Sequence, residues 1–252
     1  MNEHWGYDIQ SYWGPRRETP AQIAVRFRRL FDTLAAIDPL FDGWKFFGTT
    51  RIWPMPSNPN DEMARLIVEH VARADNGEPE PIFGYRFTAS AHTESKTALT
   101  INVHAGCYVP NLPTLVNTAG LLTKPLNEET VDLITLPIFK AALLSFATAW
   151  DATWCAAYPW DIIPLWTPVT VTRRPTFKMA WITYLSQRFA PMVTPPGSAI
   201  VEYTPQGGIV MTATKDRFDV NNPAHLTVAR EIEAALAPVN ALPWPPDAVP
   251  ER

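Results

Sequence analysis

The chain has 252 residues, of which 46% are hydrophobic, so it can bury a sizeable core as one large domain or two small ones. Its formal net charge of -4 and its isoelectric point of about 5.7 argue against nonspecific binding to nucleic acids. Two cysteines are too few for a disulfide framework, and the N-terminal segment MNEHWGYDIQ lacks the basic and apolar regions of a signal peptide. The longest apolar stretch, residues 138–150, is shorter than the ~20 residues that span a bilayer. We therefore expect a cytoplasmic protein that binds neither membranes nor nucleic acids.

Two helices are predicted in the first third of the chain. Thr19 and Gln22 have the spacing of an N-terminal capping box, and Pro20 suits the first helical position between them. The helix that begins there is predicted to stop at Pro39. The segment DEMARLIVEHVARA, residues 61–74, predicts a second and shorter helix.

The middle of the chain has the alternation of a β-hairpin. Apolar and polar residues alternate over residues 83–89 and again over residues 99–105, with a turn predicted at residues 92–96. An edge strand is predicted over residues 108–118, because its two prolines would interrupt a central ladder of hydrogen bonds. We expect the first two of these strands to pair in antiparallel fashion.

The second half of the chain combines helices and strands. Asn127 opens a helical region in which Pro137 either kinks one helix or begins a second, and Asn222 precedes a last helix. Three further strands are predicted, at residues 177–186, 199–204 and 209–214. Together the elements predict an α+β fold, with a mainly antiparallel sheet of about six strands covered by helices. We expect a single domain over residues 1–252, including a proline-rich C-terminal tail at residues 241–252.

The two cysteines are the first candidates for catalysis. His104 and Cys107 could form a nucleophile and its base, but residues three apart in a strand point to opposite faces of the sheet. Cys155 follows Trp150 and Trp154, which we interpret as neighbours on a helix that either shield the thiol or fill the core. We interpret both cysteines as packed core residues.

Other polar residues lack the spacing of a catalytic or ligand site. The five histidines form no pattern typical of zinc binding, and the chain has no Walker motif and no GxGxxG motif. The acidic pair Glu128 and Glu129 suits a helix N-terminus, while Asp216 and Asp219 suit a solvated turn. The sequence therefore predicts no catalytic residue, no cofactor and no metal.

The segment SYWGPRRETP, residues 11–20, raises the question of an anion site. Arg16 and Arg17 could grip an anion, but directly before a capped helix we expect them to pair with local acids or to lie in solvent. We interpret the segment as a rigid helix entrance anchored by a tryptophan. The tryptophans that we predict to be largely buried are Trp13, Trp44 and Trp181.

Three blocks of the sequence resemble the Immunity protein 52 family of bacterial toxin systems. The first, YWGPRRETPAQIAVRFRRLFDTLAAIDPLFDGW, carries the most specific part of the resemblance in its Tyr-Trp-Gly-Pro-Arg run. The others are AWITYLSQRFAP and GGIVMTATKDRFDVNNPAHLTVAREIEAAL. The second block resembles a central strand of the family. The third block resembles the end of the family sequence, where a glycine and a strand are followed by Asn-Pro-x-His and a helix. The blocks spread over nearly the whole chain, with a looser match from about residue 54 to residue 127.

The resemblance implies a protein that binds and neutralises a cognate toxin delivered between competing bacteria, often by type VI secretion. It also implies a toxin partner with a restriction-endonuclease fold, which is a nuclease. Nucleic-acid enzymes present basic clefts, and an acidic partner is steered toward them. The alternatives are a small hydrolase that uses Cys155 or an acidic pair, and a carbohydrate-binding module with exposed tryptophans.

The acidic loop ADNGEPEP, residues 74–81, is the predicted partner-binding site. It supplies Asp75, Glu78 and Glu80, and Glu94 follows in the next turn. Variable loops on a rigid scaffold commonly carry partner specificity. The alternative for this segment is a solvated connector.

Overall fold

The computed structural model describes residues 6–47, 52–54, 59–91, 98–109, 117–124, 131–166 and 176–242. The strands are β1 (Tyr7–Trp13), β2 (Lys45–Phe47), β3 (Ile52–Pro54), β4 (Phe83–Ala91), β5 (Ala98–Cys107), β6 (Asn117–Lys124), β7 (Trp154–Pro159), β8 (Ile182–Leu185), β9 (Ile200–Tyr203) and β10 (Ile209–Thr212). The α-helices are α1 (Pro20–Ala35), α2 (Pro59–Glu69), α3 (Leu136–Trp150), α4 (Pro223–Ala235) and α5 (Ala237–Asn240). Short 3₁₀ turns lie at Pro39–Phe41, Val131–Leu133, Trp160–Leu165 and Ala190–Met192.

All ten strands form one antiparallel sheet, in the order β3-β2-β4-β5-β6-β1-β7-β8-β10-β9. The prediction of about six strands is therefore wrong, although the α+β class and the antiparallel pairing are right. Four strands were missed. The last three residues of β1 lie in the segment 11–20 that we interpret as a helix entrance, β7 lies where the sequence predicts a helix, and β2 and β3 have only three residues each, too few for a periodic signal.

The predicted edge strand is wrong in position. Residues 110–116 lie outside the described part of the chain, and the strand that follows them, β6, lies between β5 and β1 in the middle of the sheet. Its first residue, Asn117, pairs with Trp13 of β1. The residues after the two prolines therefore make a central ladder on both sides of β6.

The helix boundaries follow the local signals in most places. Thr19 and Gln22 form the predicted capping box, and Pro137 begins α3 rather than kinking it. Helix α2 ends at Glu69, five residues before the predicted end, because the chain then turns and bridges to β4 through Val71. The helical start predicted at Asn127 and the tail from residue 243 onward lie outside the described residues.

Aromatic side chains join α1 and α3 to one face of the sheet. Phe27 of α1 contacts Phe87 of β4 at 4.9 Å between ring centroids, and Trp150 of α3 stacks on Trp13 of β1 at 5.0 Å. The predicted burial of three tryptophans is confirmed, with exposed fractions of 3% for Trp13, 5% for Trp44 and 0% for Trp181. In the described part of the chain, no helix is long and apolar enough to cross a membrane.

The opposite face is covered in the half of the sheet around β7. Trp154 of β7 stacks on Tyr12 of β1 and contacts Phe177 at 4.7 Å. The main chain of Phe177 is in turn bonded to the Asn240 side chain of α5. The other half of the same face, on β4, β5 and β6, is polar and accessible.

Candidate partner-binding surface

The accessible half of the sheet carries one polar side chain at every second position. Arg86 of β4 is the register partner of His104 of β5, and His104 is the partner of Thr118 of β6. The next row contains Thr88 and Asn102. Arg86 and Asn102 are exposed, and Thr88, His104 and Thr118 are half-buried. The intervening residues are buried on the side of the helices: Tyr85, Phe87, Ile101 and Val103. We name the residues Arg86, Thr88, Asn102, His104 and Thr118 the open face.

A groove of about 510 Å³ runs over the open face, with Phe47 and His70 at its margin. Thr88 Oγ1 donates to Asn102 Oδ1 at 2.8 Å, which uses the amide oxygen as an acceptor and leaves the amide NH₂ group as a donor. The His104 Nε2–H donates to the Phe83 carbonyl oxygen at 2.7 Å, because a carbonyl can only accept. Burial lowers the pKa of His70. Arg86 is the one permanently charged side chain among the described residues that line this groove.

The predicted acidic loop is a short ordered hairpin at the border of the open face. We name residues 72–80 the acidic hairpin. Its main chain is closed by the Ala74 N–H donating to Glu78 O at 2.9 Å and the Glu80 N–H donating to Ala72 O at 2.7 Å. The Arg73 side chain donates to Gly77 O at 2.9 Å across the turn. These bonds order the main chain that carries the acidic side chains.

Three of the four predicted partner-binding residues meet on this hairpin. Asp75 and Glu78 are exposed and Glu80 is half-buried, while Glu94 lies outside the described residues. A second cavity, of about 540 Å³, is lined by Asp75, Glu80 and Arg86 together with the adjacent chain. Since Arg86 lines both cavities, the acidic hairpin and the open face form one continuous surface.

The sequence predicts no site on the open face, although part of its signal is present there. The alternation that predicted β4 and β5 also placed Arg86, Thr88, Asn102 and His104 on one side. Alternation shows which residues share a face, but it does not show whether another part of the chain covers that face.

The cysteines lie in the core, as predicted. Cys107 and Cys155 have exposed fractions of 1% and 0%, and burial raises the pKa of both thiols. His104 bonds the Phe83 carbonyl rather than a thiol. In the described ranges no three His, Cys, Asp or Glu side chains are grouped so that they could hold a metal ion.

The interpretation of Trp150 and Trp154 as helical neighbours is wrong. Trp150 is the last residue of α3, and Asp151 ends the helix in the left-handed conformation at φ 47°. Trp154 then lies on β7 and stacks on Tyr12 on the other side of the sheet. The left-handed residue reverses the chain so that β7 can enter the sheet beside β1.

The arginines of the first block hold the fold together instead of forming an open anion site. Arg16 pairs with Glu18 at 3.2 Å, as predicted for a local acid, and donates to the Trp150 carbonyl oxygen at 2.9 Å. Arg26 pairs with the same Glu18 carboxylate and with Asp151. Arg17 lies over the ring of Tyr108 at 5.3 Å. The carboxylates already occupy the position that a bound anion would take.

Of the two acidic pairs considered in the sequence, only Asp216 and Asp219 lie among the described residues. Glu128 and Glu129 lie outside the described residues. Asp219 Oδ1 accepts hydrogen bonds from the main chain and side chain of Asn221, which makes it a turn-forming residue as predicted for that pair. Tryptophans do not form an exposed platform in the described ranges, where they are buried or half-buried: Trp13, Trp44, Trp53, Trp150, Trp154, Trp160, Trp166 and Trp181.

Comparison with known proteins agrees with the resemblance of the sequence blocks. The family model described as Immunity protein 52 matches residues 6–242. Comparison with curated proteins gives no significant match. Among solved structures, the fold is similar to that of the Pseudomonas aeruginosa T6SS protein PA0821, with a TM-score of 0.54 and 12% sequence identity. The alignment covers 91% of this chain and 73% of that chain. The family model spans all ten strands, and the chain therefore belongs to the Immunity protein 52 family.

Proposed function

We propose that this protein binds a cognate toxin in the cytoplasm and neutralises it by direct protein contact. The observation that carries this proposal is the family match over residues 6–242, which includes the whole sheet and the helices packed on it. The fold shared with a T6SS protein supports delivery of that toxin by type VI secretion between competing bacteria. Burial of both thiols agrees with a binding role, since a buried thiol with a raised pKa is a poor nucleophile.

We further propose that the toxin is a nuclease whose basic cleft meets the acidic hairpin. The hairpin presents Asp75, Glu78 and Glu80 on a main chain that its own hydrogen bonds already order. A preordered loop loses little conformational entropy on binding. Opposite charges on the two partners speed association and favour one relative orientation.

The first experiment measures binding between the purified protein and the toxin domain encoded beside its gene. We expect a stable complex and suppression of nuclease activity at equimolar concentrations. A toxin that stays fully active and unbound in the presence of the wild-type protein would refute the proposed function. A toxin that is bound but has no nuclease activity of its own would refute only the nuclease assignment.

The second experiment tests the acidic hairpin by reversing one charge. Glu78 has an exposed side chain, and its structural bonds are made by its main chain, so Glu78→Lys should leave the melting temperature unchanged. We expect slower association and a weaker dependence of affinity on salt. The matched control is Asp216→Lys, an equal charge change at an exposed turn after β10. Equal effects of the two variants would remove the acidic hairpin from the interface.

A further inference from the structure

We infer that the groove on the open face receives a carboxylate side chain of the bound toxin, which pairs with Arg86. The inference rests on the proposed function and specifies the chemistry of the contact. The groove has room for a side chain, with a volume of about 510 Å³, and no carboxylate is among the described residues that line it. Its permanent charge is therefore positive, although the chain as a whole carries a net charge of -4.

The sheet fixes the main chain of Arg86, from which the exposed side chain projects. Its main-chain N–H donates to His70 O at 3.0 Å on one side, and its register partner on the other side is His104 of β5. Residues on paired strands are better positioned for recognition than residues on loops. A guanidinium in such a position can bind a carboxylate through two parallel hydrogen bonds.

The surrounding polar groups also favour an acceptor ligand. The Thr88 hydroxyl donates to the amide oxygen of Asn102, so the NH₂ group is the part of this groove-lining amide that can donate to a ligand. This amide and the guanidinium lie on adjacent strands and are both exposed. A partner carboxylate, which only accepts hydrogen bonds, is complementary to such a pair of donors.

The arginine also complements the acidic hairpin next to it. Because Arg86 lines both cavities, a partner meets a negative hairpin and a positive groove side by side. A toxin surface with a basic patch and an adjacent carboxylate fits in one orientation and is repelled in the reverse orientation. The two charges thereby determine specificity, whereas a uniformly acidic surface would accept many basic partners.

The test compares Arg86→Glu with Arg29→Glu for binding to the same toxin domain. Arg29 is exposed on α1, on the opposite side of the sheet, so both variants change the net charge equally. We expect Arg86→Glu to weaken affinity by at least about tenfold and Arg29→Glu to change it by less than about twofold. Circular dichroism and the melting temperature check that each variant is folded.

The milder variant Arg86→Gln separates charge pairing from repulsion and serves if Arg86→Glu does not fold. The affinity of Arg86→Gln for the toxin should be lower than that of the wild type. In the Arg86→Gln background, replacing the paired acidic residue of the toxin by its amide should produce no additional loss of affinity. Such coupling identifies the paired carboxylate. If wild-type protein binds the toxin but Arg86→Gln and Arg86→Glu bind as tightly as Arg29→Glu, the inference is wrong and the proposed function stands. If wild-type protein does not bind, the proposed function itself fails.

Discussion

Arg26 Nη1 donates a hydrogen bond to Asp151 Oδ2 at 2.7 Å, joining the first turns of α1 to the residue that ends α3. The same nitrogen donates to the Ala149 carbonyl oxygen at 3.0 Å, and Nε pairs with Glu18. A cation at this position complements the negative end of the α3 dipole and satisfies a terminal carbonyl. One side chain of α1 therefore binds the C-terminal end of α3 through both its main chain and its capping residue.

Replacing Arg26 by methionine should lower the free energy of unfolding by about 2 kcal/mol, because the Glu18 carboxylate is nearly buried and would keep only Arg16 as a partner. Urea denaturation measures this change. The control is Arg28→Met, which removes a more exposed pair with Asp32 on the same helix and should cost about 0.5 kcal/mol or less. Equal losses for the two variants would contradict a special role for Arg26.

We predict that the buried side chain of Asn117 makes a large contribution to the free energy of unfolding. Its Oδ1 accepts from the Cys107 N–H at 2.9 Å, and its Nδ2 donates to Gly14 O at 2.7 Å and to Cys107 O at 2.9 Å. Asn117→Ala removes three buried hydrogen bonds and takes the partner from the Cys107 N–H, while Cys107 O keeps its bond from the Arg16 N–H, so we expect a loss of about 3 kcal/mol in urea denaturation. The exposed Asn102→Ala should cost less than about 1 kcal/mol, and a similarly small loss at Asn117 would refute the prediction.

Stability should decline at alkaline pH because of buried tyrosines. Burial raises the pKa of Tyr7 to about 12 from the usual 10.0, while nearby Arg217 opposes the shift. The unfolded chain releases the phenol proton near pH 10 and the folded chain near pH 12, so the stabilisation is complete below pH 10 and is lost between these values. Thermal unfolding measured from pH 8 to about pH 12 should show a falling melting temperature.

The Tyr7→Phe variant tests the part of this decline that comes from one residue. It removes the hydrogen bond from the phenol to the Phe218 carbonyl oxygen, 2.6 Å long, and should cost about 1 kcal/mol at neutral pH. Its alkaline decline should be shallower than that of the wild type, though still present because burial raises the pKa of Tyr12 and Tyr184 to about 12 as well. The exposed Tyr203→Phe is the control, and an alkaline decline identical in both variants would contradict the assignment to Tyr7.

Protection against the toxin should survive replacement of either thiol. Cys155→Ser places a hydroxyl in a fully buried site and should lower the melting temperature, whereas Cys107→Ser should lower it less because its surroundings include polar main-chain groups. Both variants should protect a toxin-producing strain as well as the wild type does at permissive temperature. Loss of protection by a folded serine variant would instead support the hydrolase alternative.

Local sequence signals determined several elements of this protein. The capping box of α1, the proline that begins α3 and the hairpins β4–β5 and β9–β10 depend on contacts between residues that are near one another in the chain. The alternation of β4 also determined which residues lie on the same side as Arg86. Such features can be predicted because capping, turn chemistry and side-chain direction are properties of short segments.

Only the tertiary structure decided the size of the sheet and which part of it is accessible. Strand β1 pairs with β6 and β7, whose residues lie more than a hundred positions away, and both faces of β1 are largely buried, so its own sequence gives a weak alternation. The coverage of a face likewise depends on where distant helices pack. Helices α1 and α3 cover the Phe87 side, and α5 reaches the other side only near Trp154. Arg86 is therefore exposed because of long-range packing, which no local pattern encodes.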